Sequence, residues 1–417
     1  MPNQPIHGVL MANVKKVPYY HVRKGLFGSE VKKVSTARGC IPLNTPRGIS
    51  IDRLAPGMKP SPPPKASLDA PKKARAEPAP RLRKSAKENQ KKKKSPPEQL
   101  EAEVCENPPV FDLQDVPVAM DNLGWTVSAK LARRWFSGPA NIYDNNPKSI
   151  QPINDTDVTL EWTLRFGSVR KKYEKLLSKD IYNEAAIDTA KLKVLKKIKK
   201  RFSEERTVNL GFNTSSSLSD LLQFHIDWQF QLLSLSDGDT FDGLTLTDLT
   251  GALANFTIYI AVGNVEISGQ KYFRYERSKN LYCLDAVGRI THVYAYVKDN
   301  YSFNGEQYLG HWNKQGIIIA PGTWLTGSTQ EKRDSDIDIW VKAINKPVDT
   351  RRSLFGKFKE PDVYFPVFNA DYNQWRERHH RGQDFMIYSK PVHLKLSKPI
   401  VFKLGEICRP EPLNSLA

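Results

Sequence analysis

The sequence has few cysteines and no apolar run long enough to cross a membrane as a helix. Its four cysteines, at positions 40, 105, 283 and 408, have neither CxxC spacing nor a metal-ligand spacing with histidine. We therefore expect reduced thiols in a cytosolic product, with a Cys283–Cys408 bridge as the alternative. The first residues also lack a basic stretch followed by an apolar run, so we expect neither a cleaved signal peptide nor a membrane span.

The motifs of several enzyme classes are missing as well. The sequence contains no GxxxxGK[ST], no GxGxxG after a strand, no GxSxG and no HExxH. A glycine loop that cradles phosphates, a nucleophile elbow and a zinc-protease site are therefore unsupported. We expect no cofactor and no bound metal.

Acidic charge is scarce in the first hundred residues, which hold 22 lysines and arginines and six acidic residues, a net charge of +16 in a chain of +18. The basic charge therefore belongs to an N-terminal arm and not to the part that can fold. Because residues 56–108 are rich in proline and lysine, we predict a disordered linker there, preceded by a poorly ordered docking segment over residues 1–55. Residues 72–94 are expected to make at most a non-specific contact with polyanions, and a dedicated nucleic-acid or membrane arm is the alternative.

Residues 109–410 have the patterns of a single globular domain. Over residues 109–205 the apolar spacing predicts helices at 115–124, 126–137, 169–177 and 185–202. Asp115 and Thr126 are the expected N-caps of the first two, and Gly124 is the expected end of the first. The lysine-rich face of residues 191–201 is interpreted as the solvated side of an amphipathic helix, with nucleic-acid contact as the alternative.

Residues 206–405 are mostly strand-like. Alternation of apolar and polar residues predicts strands here at 224–232, 256–262, 290–297, 316–319, 385–388 and 392–404. The same alternation predicts one earlier strand, at 158–166. Thr247 and Asp248 predict the start of a short helix between the strands at 224–232 and 256–262. The sequence therefore predicts an α+β fold in which a helical N-terminal portion is followed by a largely antiparallel sheet.

Polar and aromatic residues are concentrated in two segments, 296–313 and 367–389. If the segments converge, a histidine, a carboxylate and an arginine would suit general acid–base chemistry, or they would pair with one another and hold loops at a sheet edge. The candidate catalytic residues are Asp299, Arg376, His380 and Asp384. The candidate binding residues are Tyr301, Asn304, Trp312, Asn369 and Gly382.

Four blocks, residues 115–136, 246–262, 293–313 and 368–389, together resemble an uncharacterised bacterial family, a domain of unknown function. Genes of that family are often found beside type VI secretion spike and effector genes. The resemblance covers residues 110–405 and implies a protein made in the cytoplasm and exported without a signal peptide. The implied partner is a secretion spike, or a neighbouring effector or chaperone.

Three functional hypotheses follow. The first, which we favour, is a secretion-associated effector or effector accessory that acts through a partner-binding α+β domain. The second is a hydrolytic antibacterial toxin that uses the histidine, aspartate and arginine residues of the two segments. The third is a nucleic-acid-binding protein that acts through the basic arm. The sequence leaves open the oligomeric state and the distance between the two segments.

Overall fold

The computed structural model describes two kinds of region. Full descriptions cover residues 49–59, 111–144, 152–203, 210–243, 245–276, 279–305, 307–317 and 364–411. Outside these ranges only backbone is described, in six short strands and at Glu204, Ile318 and Val363, which end longer elements. The predicted docking segment and linker fall largely outside the described residues. Residues 49–59 are an exception, because the buried side chains of Ile49 and Ala55 belong to the same hydrophobic core as the rest of the domain.

The helices of the described residues are α1 (Val116–Asn122), α2 (Thr126–Ser137), α3 (Leu160–Thr163), α4 (Val169–Ser178), α5 (Glu184–Glu204), α6 (Leu221–Trp228), α7 (Asp248–Ala252) and α8 (Asn369–His379). Short 3₁₀ turns precede α1 at Leu113–Asp115 and follow the sixth strand at Asp237–Asp239. None of the helices in this part of the chain is long and apolar enough to cross a membrane.

The strands are β1 (Tyr20–Gly25), β2 (Gly28–Lys33), β3 (Val104–Cys105), β4 (Ile153–Asn154), β5 (Phe212–Asn213), β6 (Gln229–Leu235), β7 (Phe256–Val262), β8 (Asn264–Glu276), β9 (Lys279–Tyr301), β10 (Tyr308–Asn313), β11 (Gly316–Ile318), β12 (Trp340–Val341), β13 (Lys346–Pro347), β14 (Leu354–Phe355), β15 (Val363–Phe368), β16 (Phe385–Tyr388) and β17 (Val392–Pro410).

The main sheet is organised around β9, a strand of 23 residues that pairs with β7, β8, β16 and β17. The short strand β4 runs parallel to β16, and the other strand pairs of this sheet within the described residues are antiparallel. A second sheet has the order β11-β10-β15-β12-β13. The prediction of helices followed by a largely antiparallel sheet is therefore confirmed.

The hydrophobic core lies between this sheet and the helices. On β7 and β9 the side chains of Ile258, Ile260 and Val297 are fully buried, as are Trp135 of α2 and Trp375 of α8. The apolar stripe of α2 that the spacing predicted is therefore turned inward. Burial of such large side chains stabilises the fold by about 1.5–3 kcal/mol each.

One predicted strand is wrong, and a second is wrong in its first half. Within residues 158–166 the chain forms α3, because the Thr159 hydroxyl accepts a hydrogen bond from the Trp162 N–H at 3.1 Å and so caps a helix. Within residues 224–232 only the second half is a strand. The first half belongs to α6, which Asp220 caps by accepting a hydrogen bond from the Gln223 N–H at 2.9 Å.

The expectation of reduced thiols is wrong for two of the four cysteines. Cys283 and Cys408 face each other in register on β9 and β17 and form a disulfide, although 125 residues separate them in sequence. Neither a CxxC motif nor the chain spacing could indicate this pair, because the register of two distant strands brings it together. The other two cysteines lie outside the residues whose side chains are described.

Candidate functional site

The two polar segments singled out in the sequence adjoin in space. The Asn369 backbone N–H donates to the Gln307 carbonyl at 2.9 Å, and the Asn369 side-chain amide donates to the Asn304 carbonyl at 2.7 Å. In the sheet, Ile387 of β16 lies opposite Asp299 of β9. Asn369 thus holds the turn after β9 against the start of α8.

These segments form one side of a cleft with a volume of 730 Å³. The opposite side comes from α1, α7 and the 3₁₀ turn at Asp237–Asp239. The aromatic residues of the lining are Trp125, Phe241, Tyr301, Phe303, Tyr308, Trp312 and Tyr372. Its carboxylates are Asp237 and Asp299, and its amides are Asn255, Asn300, Gln307 and Asn369. A cleft of this size, with aromatic walls and a few polar groups, is typical of a binding site.

Contact between α2 and α7 positions the side of the cleft that α7 forms. The carboxylate of Asp248, the first residue of α7, accepts hydrogen bonds from the backbone N–H groups of Val127 and Ser128 at 3.0 and 2.8 Å. Asp248 therefore caps α2, whereas the predicted cap, Thr126, is the first helical residue and is exposed. Gly251 is required at this contact because a Cβ atom there would lie 2.8 Å from Trp125.

Asp299 lies near the end of β9 and lines the cleft. Burial raises the pKa of Asp299 from its ordinary value of 3.8 to about 8, although a backbone hydrogen bond at Asn300 and the charge of Lys298 act in the opposite direction. A carboxyl group with this pKa is mostly protonated at neutral pH and can both donate and accept protons. Of the four predicted catalytic residues, Asp299 alone lines the cleft.

Arg376 and Asp384 pair inside the core. Their side chains are 5% and 0% exposed, and Arg376 Nη2 lies 2.5 Å from Asp384 Oδ1. The same carboxylate accepts hydrogen bonds from the Trp135 indole N–H at 2.8 Å and from the Tyr143 backbone N–H at 3.2 Å. This arrangement connects α2, α8 and β16 and leaves Asp384 no surface that could touch a substrate.

The remaining predicted residues are divided between the cleft and its supports. Tyr301, Trp312 and Asn369 line the cleft, and Asn304 is exposed beside it. His380 is an exposed residue in the left-handed region, with φ 51°, that ends α8. Gly382, with φ +100°, packs so closely on Trp135 that a Cβ atom would lie 2.6 Å from that ring.

Several lining residues were not predicted. Met120 lies in α1 and Trp125 directly precedes α2, while Asp237 and Asn255 lie in turns on either side of α7. The Asp237 backbone N–H donates to the Asn255 side-chain oxygen at 2.8 Å, so the two turns are joined. The sequence indicates both residues only as parts of turns between predicted elements. Their convergence at the cleft depends on how α7 packs on α2, which the sequence does not show.

A second polar cluster lies on the main sheet beneath α6. His225 Nδ1 and the Tyr296 hydroxyl are 2.9 Å apart, and the Tyr296 ring stacks between those of Tyr259 and Tyr388. Burial, followed by the charges of Lys298 and Lys193, lowers the pKa of His225 to about 4. This imidazole is therefore neutral at physiological pH and fastens α6 to the sheet.

One group of potential metal ligands occurs among the described residues. The donor atoms of Cys283, Glu406 and Cys408 lie within 4.8 Å of one another. Both sulfur atoms are consumed by the disulfide, and Glu406 accepts a hydrogen bond from Arg274 at 2.6 Å. A disulfide does not ligate metal as a thiolate does, so these residues do not form a metal centre in this state.

The predicted lysine-rich helix face is present on α5. Lys196, Lys197, Lys199 and Lys200 are exposed, while Lys193 donates a hydrogen bond to the Ile226 carbonyl at 2.8 Å. The basic segment 72–94, predicted to contact polyanions, lies outside the described residues.

Together the fold and the cleft define an α+β domain with an aromatic-lined cleft at the end of a largely antiparallel sheet. The chain belongs to a family of unknown function (DUF6402), which it matches over residues 111–404. No curated protein and no solved structure matches it.

Proposed function

We propose that this protein is a type VI secretion-associated effector, or an accessory to a neighbouring effector, that binds a partner protein in the cleft. The secretion context comes from the resemblance of its four sequence blocks to the family described above. The observation that carries the binding function is the cleft of 730 Å³ with seven aromatic side chains in its lining. Aromatic side chains in a preformed cavity are the usual anchors of protein recognition.

The Cys283–Cys408 disulfide supports export as part of this proposal. Disulfides persist in oxidising compartments such as the periplasm and are rare in the cytosol. We therefore propose that the protein is made in the cytoplasm, leaves by a contact-dependent route without a signal peptide, and forms the bridge after export.

The partner-binding function is tested in a bacterium that encodes this chain beside spike and effector genes. A tagged full-length chain is precipitated, and the spike and effector proteins are quantified in the complex. We expect Asn255→Trp to abolish the complex, because Asn255 is an exposed lining residue and an indole there fills the cleft. The matched control is Lys197→Trp, which changes an exposed residue of α5 and should leave the complex intact. Equal binding by both variants would reject the proposal.

A hydrolytic toxin is the second candidate, and the pKa of about 8 for Asp299 favours it. Such a carboxyl group suits a general acid or base near neutral pH. Bacterial growth is followed while the wild-type chain is expressed in the cytosol or in the periplasm. The same measurement is made with the Asp299→Asn variant. Arrest that Asp299→Asn relieves would support the toxin. Arrest that persists in this variant, or no arrest in either compartment, would count against it.

A further inference from the structure

The charge of the cleft lining has one sign. The chain contains 63 lysines and arginines, yet none of the 25 described residues that line the cleft is lysine, arginine or histidine. The ionisable groups of the described lining are Asp237, Asp299, Tyr301, Tyr308 and Tyr372, and Lys298, whose charge acts on Asp299, lies outside the lining. A lining whose described residues include carboxyl groups and no cation repels anionic ligands and favours cationic ones.

We propose, on the basis of the partner-binding function above, that the cleft receives a lysine or arginine side chain flanked by apolar residues in a segment of the partner. Two kinds of group in the lining match such an occupant. Its aromatic rings suit the ammonium or guanidinium group through cation–π attraction. Met120, Leu246 and Leu309 suit the aliphatic stem and the flanking residues.

The carboxyl group of Asp299 is mostly uncharged at neutral pH. Burial raises the pKa of Asp299 to about 8, so desolvation of this half-buried group costs little. A cation placed beside it favours the ionised form, and the proton passes to solvent. Exposed Asp237 supplies a second carboxylate at the same cleft.

A peptide-display selection against the intact chain tests the inference. A random library is bound to immobilised full-length protein and counter-selected on Asn255→Trp, so that peptides attracted to the rest of the molecule are removed. Enriched peptides are synthesised, and their affinities are measured by fluorescence anisotropy. Each lysine is then replaced by norleucine, which keeps the aliphatic stem and removes the charge.

We expect cleft-dependent peptides to carry lysine or arginine between apolar residues, and norleucine to weaken binding at least tenfold. Asp299→Asn or Asp237→Asn should also weaken binding at least tenfold. The matched control is Asp285→Asn, which changes an exposed residue on the same strand and should have no effect. Asp237 is exposed, so its variant remains informative if Asp299→Asn does not fold.

The two proposals fail in different ways. Cleft-dependent peptides that are neutral or acidic would overturn the cationic occupant and leave partner binding in place. If no peptide distinguishes the wild-type chain from Asn255→Trp, the cationic occupant is rejected, and partner binding is decided by the precipitation experiment described above. A cationic peptide from the chain's own basic arm that displaces the selected peptides would overturn the assignment to a partner protein.

Discussion

At the scale of single residues, two aspartates from the predicted site have opposite roles. Asp384 is fully buried and fully hydrogen-bonded, whereas Asp299 lines an open cleft. Both stand beside or within predicted strands in polar segments, so the sequence identified them equally well. Their roles differ because Trp135 and Tyr143, more than 200 residues away in sequence, supply the hydrogen bonds to Asp384.

The Arg376–Asp384 pair should be essential to stability. Asp384→Asn leaves the Arg376 charge buried without a counterion, and removing one partner of a buried pair costs about 3–5 kcal/mol. Urea unfolding followed by tryptophan fluorescence measures this loss. The control is Asp121→Asn, whose exposed pair with Arg133 contributes about 0–1 kcal/mol. Similar losses in the two variants would contradict the role given to the buried pair.

Asp299 should make stability fall as pH rises. The folded-state pKa of about 8 lies above the ordinary value of 3.8, so between these pH values the folded state binds more protons than the unfolded state. The cost of ionising Asp299 is absent near pH 4 and fully present above pH 8. Asp299→Asn should therefore be more stable than wild type at pH 8, with the difference vanishing near pH 4. Urea unfolding at several pH values measures it, and a difference independent of pH would refute the assignment.

At the scale of elements, sequence patterns predicted α4, α5, β7 and β16, did not predict the 13-residue strand β8, and misread two segments in which a helix begins. The spacing predicted α4 and α5 to within three residues at each end, because several turns of helix repeat the same period. Segments 158–166 and 224–232 alternate like strands, yet the caps Thr159 and Asp220 begin helices there. Over four to eight residues a helical period and a strand period share most of their apolar positions. Alternation alone therefore could not distinguish a helix from a strand in these segments.

The cap of α2 is an element-scale feature that the sequence could not show. Asp248 bonds the Val127 and Ser128 N–H groups and also accepts a hydrogen bond from the Ser128 hydroxyl at 2.7 Å. Asp248→Ala leaves these buried donors unpaired, which should cost about 1–3 kcal/mol. Thermal unfolding measures the loss. Thr126→Ala is the control, and a larger effect at that exposed position would contradict capping by Asp248.

At the scale of the whole molecule, composition and order predicted the fold class but not its topology. Helices before an antiparallel sheet could be expected from the change of period along the chain. The central position of β9, with four neighbouring strands, could not, since strand order depends on pairing between distant segments. The cleft follows from that topology, because Tyr308 of β10 pairs with Phe368 of β15 and so brings the turn after β9 to the start of α8.

The disulfide stabilises this topology. It joins β9 to β17 across 125 residues, and a loop of that length loses much of its entropy in the unfolded state when it is closed. The double variant Cys283→Ser/Cys408→Ser should therefore unfold with a free energy about 3–5 kcal/mol lower than that of the oxidised protein. Urea unfolding with and without dithiothreitol measures the difference, and the double variant should not respond to the reductant.

The same pair reports where the bridge forms in cells. Mass spectrometry after thiol alkylation of the producing cell should find Cys283 alkylated in the cytosol and protected from alkylation in exported protein. Two protons and two electrons leave the thiols when the bridge forms, so an oxidant of the receiving compartment, such as a disulfide oxidoreductase, has to accept the electrons. Cys283 alkylated in both compartments would remove the disulfide as support for export. A bridge already present in the cytosol would mean that it stabilises the sheet before any transport.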